Sequence, residues 1–319
     1  MVSYFNSSCI YTGVFGSYET LNELEGEAKN SKIRKICFTD DKDLTSETWE
    51  IKLIKPPFPL DSVRSQRIVK VLPHKFLKEF KSSVYIDNTV KLLVDPAVLI
   101  KKYCAKANIS MPIHSYRNSV YEEFFEVAQA GLDDSARIFE QLNHYQMICP
   151  DSLHRKPYWA GMIIRNHMDK EVIELMEEWY RQILRYSRRD QLSLVYSEMS
   201  TGTTIHKIVI DNLSSEYHAW PIYSKRDHSK RAWSPSLSGA HSIFEKIKNL
   251  KQAENELDSK LKTLMLMNKE VAEKYKPTEP PSGFDPELYL ALNKDVADAG
   301  VDPVKHFLNF GWIEGRRWR

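Results

Sequence analysis

"SSVYIDNTVKLLVDP", residues 82–96, decides how the rest of the chain is read. Its first part is an uncharged run with β-branched and aromatic side chains, the texture of a strand buried inside a sheet. Asp87 stands where that run ends, and Asn88-Thr89 follow before a second apolar run. An acidic group at the tip of a central strand either opens a turn or holds a ligand. Working outward, "SCIYTGVFG" (8–16), "IRKICFTD" (33–40) and "YWAGMIIRNH" (158–167) have the same strand character. Helical patterns separate them at 61–80, 119–131, 133–148 and 169–187. The last has Asp169 as N-cap and Val172, Met176, Trp179 and Ile183 on one face. Strands alternating with helices predict an α/β sandwich with a mainly parallel central sheet. Ligands bind such sheets beyond the carboxyl ends of the strands, where Asp40 and Asp87 both fall.

The bulk numbers narrow the class. The chain has 319 residues, 42% apolar and 28% charged, which suits a soluble domain with an appendage. A net charge of +2 gives no general argument for a nucleic acid or an anionic membrane as partner. No apolar run approaches the ~20 residues that span a bilayer, so no transmembrane segment is expected. "MVSYFNSSCIYTG" lacks the basic-then-apolar layout of a signal peptide. The expected location is cytoplasmic, including the inner face of the membrane. Cys9, Cys37, Cys104 and Cys149 are scattered without a C-x-x-C pair, which predicts reduced thiols and no zinc cluster.

Residues 1–235 carry the α/β texture and form the expected catalytic domain. Residues 236–275 read as a long helix. Positions 243, 247, 250, 254, 257, 261, 264, 268 and 271 keep a 4-3 spacing and are Ile, Ile, Leu, Glu, Leu, Leu, Leu, Asn and Val. That is a heptad seam, with Asn268 as a residue type that fixes register, and it predicts self-association through 241–275 as a coiled coil. The alternative is one amphipathic helix lying on its own catalytic domain. "KPTEPPSG" (276–283) is a Pro-rich linker. Residues 284–319 form a small helical module, with two pieces introduced by Asp-Pro and Gly300, Gly311 and Gly315 as stops.

Several short motifs carry chemistry. "CFTDD" (37–41) puts two carboxylates past a strand, where base and ribose would sit; a capped βα loop is the plain alternative. "RSQRIVK" spaces Arg64, Arg67 and Lys70 three apart on a helix leading into the Asp87 strand, suited to a diphosphate or simply a solvated basic face. "HSYRNSVYEE" offers His114, Arg117, Glu122 and Glu123; "MIIRNH" offers Arg165 and His167; "SRRDQLSL" offers Arg188, Arg189 and Asp190. Each of these is also compatible with structural ion pairs. No P-loop, G-x-S-x-G elbow, H-E-x-x-H helix or G-x-G-x-x-G fingerprint is present.

Taken in order, "YTGVFGSYETL", "ICFTDD", "SETW", "SQRIVKVLPHKFLKEFKSSVYIDNTVKL", "HSYRNSVYEE", "MIIRNH" and "SRRDQLSL" resemble the glycosyltransferase-like family known as domain of unknown function 616, over about residues 9–225. That family includes plant cell-wall and mucilage-related members and looks like a variant of the GT-A nucleotide-sugar fold. The C-terminal "FDPELYLALNKDVADAGVDPVKHFLNFGWIEGR" is similar to a module attached to bacterial surface-polysaccharide glycosyltransferases and large adhesins. The resemblance implies transfer of a sugar from a nucleotide-sugar donor to a glycan acceptor, in synthesis of a bacterial surface polysaccharide such as capsule or O-antigen.

It also implies roles. Asp87-Asn88-Thr89 matches the D-x-D motif that holds Mn²⁺ or Mg²⁺, with only the first carboxylate kept. His218 or His228 would complete the metal site, or Arg67 and Lys70 would carry the leaving diphosphate without metal. Phe38, Thr39 and Asp40 would meet base and ribose, with Arg64, Arg67, Lys70 and Asp87 on the rest of the donor. His114, Arg117, Glu122, Arg165, His167 and Gln191 would line the acceptor or sugar side. Asp190 is the expected general base for an inverting reaction, or the sugar-positioning group for a retaining one. Two other readings are a metal-assisted hydrolase of a lipid or amide and a non-catalytic scaffold with a degenerate donor site.

Overall fold

The computed structural model describes residues 7–222 and 239–319. Its strands are β1 Ser8–Val14, β2 Arg34–Thr39, β3 Glu50–Leu53, β4 Ser82–Ile86, β5 Lys91–Leu92, β6 Ile109–Pro112, β7 Met162–Arg165, β8 His206–Ile208 and β9 His218–Ala219. Seven of them form one sheet in the order β3-β2-β1-β4-β7-β6-β8, and β5 pairs with β9 in a separate antiparallel ribbon. The pairs β1–β2, β1–β4, β2–β3 and β6–β8 are parallel. The chain is therefore α/β with a mostly parallel central sheet, as the alternation of elements predicts.

One strand breaks the pattern. β7 runs antiparallel to both of its neighbours, β4 and β6. Met162 faces Ile86 and Arg165 faces Ser83, so the end of β7 lies at the opposite edge of the sheet from Asp87.

The quoted stretch is central, and its side chains alternate between two cores. Tyr85 joins Tyr11, Phe38 and Ile163 on one face, against helices Ser62–Val71, Lys170–Arg185 and Gln191–Thr201. Val84 and Ile86 join Ile10, Cys37 and Ile164 on the other, with Leu99 and Ile100 of helix Pro96–Tyr103. Burial on both faces is why β4 reads as a continuous apolar run rather than an alternating one. Helix Lys170–Arg185 starts at Asp169, whose carboxylate accepts the N–H groups of Glu171 and Val172, and it buries Val172, Leu175, Met176, Trp179 and Ile183. Truncating a buried residue such as Trp179 costs roughly 3–5 kcal/mol. The four cysteines are free thiols.

Two compact units divide the chain, residues 1–244 and 245–319. In the second, Pro286–Leu292, Lys294–Asp298 and Pro303–His306 are short helices around Tyr289, Val296 and Phe307. Asp285 and Asp302 cap the first and third of them. The helix Gly239–Lys274 is continuous, and Ile247, Leu250, Leu257, Leu261 and Leu264 of the heptad seam are exposed. The Asn268 side chain lies outside the described residues. Among the described residues, no helix is long and apolar enough to cross a membrane.

Candidate functional site

A cleft of about 560 Å³ opens over the ends of β1, β4 and β6 and the start of β7. Its shape begins with the turn after β1. Gly16 adopts φ +79°, a backbone conformation that favours glycine, and its N–H donates to Asp40 Oδ1 at 2.8 Å. Asp40 thus fixes the turn that brings Phe15 and Tyr18 to the cleft wall.

The floor is a charged network. Helix Ser62–Val71 is capped by Asp61, which accepts the Arg64 N–H, and it presents Arg67 and Lys70 to the cleft. Lys70 Nζ lies 2.7 Å from Asp190 Oδ2 and 3.2 Å from Asp87 Oδ1. Arg67 Nε lies 3.1 Å from the same Asp190 oxygen. Tyr85 Oη donates to Asp87 Oδ1 at 2.5 Å and accepts from Gln66 Nε2 at 2.6 Å. Asp190 is itself anchored, since its carbonyl accepts the Trp179 indole N–H at 2.8 Å. Burial alone would raise the Asp190 carboxyl. Arg67, Lys70 and Arg189 overcome it and hold Asp190 well below the usual carboxylate range.

The facing wall comes from the segment after β6. Arg117 Nε lies 3.4 Å from Glu123 Oε2, and a second Arg117 nitrogen pairs with Glu126 at 2.9 Å. His114 packs edge-on against Tyr116, with Nε2 4.0 Å from Glu123. Burial, with Arg117 and Lys156 nearby, brings the His114 imidazole down to about 4. Burial raises the Glu123 carboxyl, against the pull of Arg189 and Arg117. Two indoles close the far side. Trp220 donates to Thr89 Oγ1 at 3.1 Å and meets Trp159 edge-on at 5.5 Å. Gly161 is required there: a Cβ would collide with the Trp159 ring, while its carbonyl accepts the Asp87 N–H at 2.9 Å.

The cleft gathers Arg67, Lys70, Asp87, His114, Arg117, Asp190 and Gln191 from the sequence reading. Others lie elsewhere. Arg64 turns away to the Leu184 and Tyr186 carbonyls at the end of helix Lys170–Arg185. Phe38 packs in the core between Tyr11 and Phe76, and Thr39 is fully buried, so neither offers a surface to a base. Glu122 is a helix cap: its carboxylate accepts the Asn118 N–H at 2.7 Å while its own N–H donates to Ser119 Oγ. Arg165 and His167 sit at the other edge of the sheet because β7 is reversed. There Arg165 donates to Met176 Sδ at 2.8 Å and to Tyr11 Oη, and His167 meets Ser83 Oγ and the Leu77 carbonyl.

The metal expectation fares similarly. His218 has both ring nitrogens engaged, 2.8 Å from Ser215 Oγ and 2.9 Å from the Asn212 carbonyl, and it stacks on Trp159. His228 lies outside the described residues. Asn88 spends its amide on Asn22 N–H and the Thr20 carbonyl. Thr89 Oγ1 is taken by Trp220. Among the described residues, no group of three or more His, Cys, Asp or Glu is placed to hold a metal ion. These side chains do not fit a D-x-D metal centre. The sequence reading missed Gln66, Tyr85, Trp159 and Trp220 and passed over Glu123 for its neighbour. Tyr85, two residues before Asp87 within one strand, was within reach of a same-face argument.

The model of the "TOD1/MUCI70, glycosyltransferase-like domain" family matches residues 24–211. A probable hexosyltransferase, MUCI70 of Arabidopsis thaliana, is 25% identical over 154 residues, 46% of this chain. That match spans 26% of the plant protein's length. Among solved structures, mouse xyloside xylosyltransferase 1 aligns over 63% of this chain and 84% of its own, at 11% identity and TM-score 0.38. Core-mannan synthase A of Aspergillus fumigatus, in its Mn/GDP form, aligns over 63% and 72%, at 10% identity and TM-score 0.40. With the family model matching more than half of its length, the chain belongs to the TOD1/MUCI70 glycosyltransferase-like domain family.

Proposed function

We propose that the protein is a glycosyltransferase that moves a sugar from a nucleotide-sugar donor to a hydroxyl of a glycan acceptor. The observation that carries this reading is the cluster of Arg67, Lys70 and Arg189 beside Asp87 and Asp190 at the carboxyl end of the central strand, in the cleft where α/β sheets bind their ligands. In the reaction, the bond from the anomeric carbon to the diphosphate oxygen breaks and its electron pair leaves with the diphosphate. The acceptor oxygen bonds to that carbon and gives up its proton. Fixed cations stabilise the charge that grows on the leaving group.

The two buried carboxylates divide the remaining work. Asp190, held below the usual range between Arg67 and Lys70, is a weak base and serves to position those cations. Glu123, raised by burial and facing the cleft, suits the proton acceptor better. Tyr116 and Trp220 line the cleft and supply aromatic surface for the sugar rings of the acceptor or donor. Assembly of a bacterial surface polysaccharide, as capsule or O-antigen, is the setting we propose from the resemblance of residues 284–319. In that setting, 1–235 acts as the catalytic domain and 276–283 as the tether.

A panel of nucleotide sugars, each incubated with the protein with and without Mn²⁺, tests the activity. Release of nucleoside diphosphate and transfer to a glycan, both lost in Asp87→Ala, is the expected result. No turnover of any donor, or full activity in Asp87→Ala, overturns it.

A further inference from the structure

We infer that the Lys70 ammonium takes the place of the divalent cation in this cleft, so that the donor diphosphate binds through Lys70, Arg67 and Arg189 without a metal ion. The inference rests on the nucleotide-sugar reading above and specifies how that site works.

Three observations lead to it. Lys70 Nζ is already in the bridging position, 2.7 Å from Asp190 and 3.2 Å from Asp87, with its side chain 1% exposed. An ion such as Mg²⁺ or Mn²⁺ needs several oxygen ligands around one point, and the ammonium stands between the two carboxylates that would begin such a set. Next, the motif has lost its remaining ligands. Asn88 is committed to the Thr20–Asn22 segment, Thr89 to Trp220, and Asp87 Oδ1 to Tyr85 and Lys70. Lastly, three cationic side chains stand beside the motif. Arg67, Lys70 and Arg189 face Asp87 and Asp190, three fixed positive charges against two negative ones.

The network also explains why a buried lysine is held so firmly. Asp190 pairs with both Lys70 and Arg67, and the helix Gln191–Thr201 and the Trp179 indole keep Asp190 in place. When a diphosphate arrives, its oxygens accept from donors that are already oriented, at little reorganisation cost. Asp87, a third exposed, then has one oxygen held by Tyr85 and Lys70, and the other, with no hydrogen-bond partner among the described residues, can accept from a sugar hydroxyl.

Titration calorimetry on the full chain tests this with UDP, GDP and inorganic pyrophosphate as probes, in EDTA and again in Mn²⁺. The expected result is binding of at least one probe in EDTA, with affinity changed less than about threefold by Mn²⁺. Lys70→Met should weaken that binding by roughly ten- to a hundredfold, the loss that follows when a charge-assisted hydrogen bond is removed, and Lys70→Arg should recover part of it. Binding that appears only with Mn²⁺, or Lys70→Met binding as tightly as the parent, overturns the inference while leaving the nucleotide-sugar reading standing. No binding of any probe in either buffer overturns both. The metal comparison uses the unmodified protein, so it stands even if Lys70→Met does not fold.

Discussion

Replacing Asp190 by Asn separates the two carboxylates that touch Lys70. The substitution keeps the shape and deletes the charge. Asp190 is 3% exposed, and it is the partner shared by Lys70 Nζ at 2.7 Å and Arg67 Nε at 3.1 Å. In Asp190→Asn the remaining carboxylate is Asp87, which is 33% exposed and forms an ion pair with Lys70 but not with Arg67. Removing one partner from a buried ion pair leaves an uncompensated charge and costs about 3–5 kcal/mol. Asp87→Asn leaves Lys70 with Asp190, and a pair of that exposure is worth about 0–1 kcal/mol. Against a total stability of about 5–15 kcal/mol, the first loss is large and the second is small. Urea unfolding of the first unit's signal, at fixed m-value, measures both. The pH dependence gives a second check. A carboxylate whose folded pKa is depressed stabilises the protein above its unfolded pKa and loses that contribution only as pH falls through the folded value. Asp190 is held well below the usual range, so the gap between parent and Asp190→Asn should stay constant from neutral to mildly acid pH. Equal losses for the two variants, or an Asp190→Asn protein within about 1 kcal/mol of the parent, would refute the network.

Other consequences are simpler to state. Glu123→Gln should lower kcat far more than it changes KM and should flatten the acid limb of the kcat/KM profile; an unchanged profile would remove Glu123 from the base role. His167 is buried, and burial brings its imidazole down to about 4. Its unfolded form gains a proton below about 6.5 while the folded form stays neutral, so stability is lost as pH falls from there toward 4. Between pH 7 and 5 this amounts to roughly 2 kcal/mol, and His167→Asn should make stability less acid-sensitive by that amount; identical slopes would contradict it. The exposed seam of Ile247, Leu250, Leu257, Leu261 and Leu264 predicts that the 319-residue chain self-associates and becomes monomeric without residues 241–275, which light scattering checks. A monomeric full-length protein would sink that expectation.

How much of this was legible in the sequence varies by element. The central strand and Asp87 at its tip were, because burial on both faces writes an apolar run and the polar break after it marks the end. The direction of β7 was not. "MIIR" has the same texture whichever way it runs, so Arg165 and His167 were assigned to the wrong edge. The basic helix was read one residue too broadly. Each three-residue step turns about 60° around a helix, so Arg64 has rotated off the face that carries Lys70. The resemblance implies a donor role for Phe38 and Thr39, but the alternation of β2 sends the Phe38 ring into the core. The choice between Glu122 and Glu123 turned on a capping box that Ser119 and Glu122 spell out at N-cap and N3. Lost ligands are hardest to see: that Asn88 and Thr89 serve the neighbouring loop and Trp220 depends on contacts 66 and 131 residues away in sequence.

The position of a donor's diphosphate is the most direct test of a metal-free site. A crystal structure of the full chain with UDP or GDP, grown in EDTA, should show the phosphates over the end of β4, within hydrogen-bond reach of Lys70 and Arg67. Phosphates bound at the opposite edge of the sheet, by Arg165 and His167, or held in the cleft only when Mn²⁺ sits on Asp87, would contradict it.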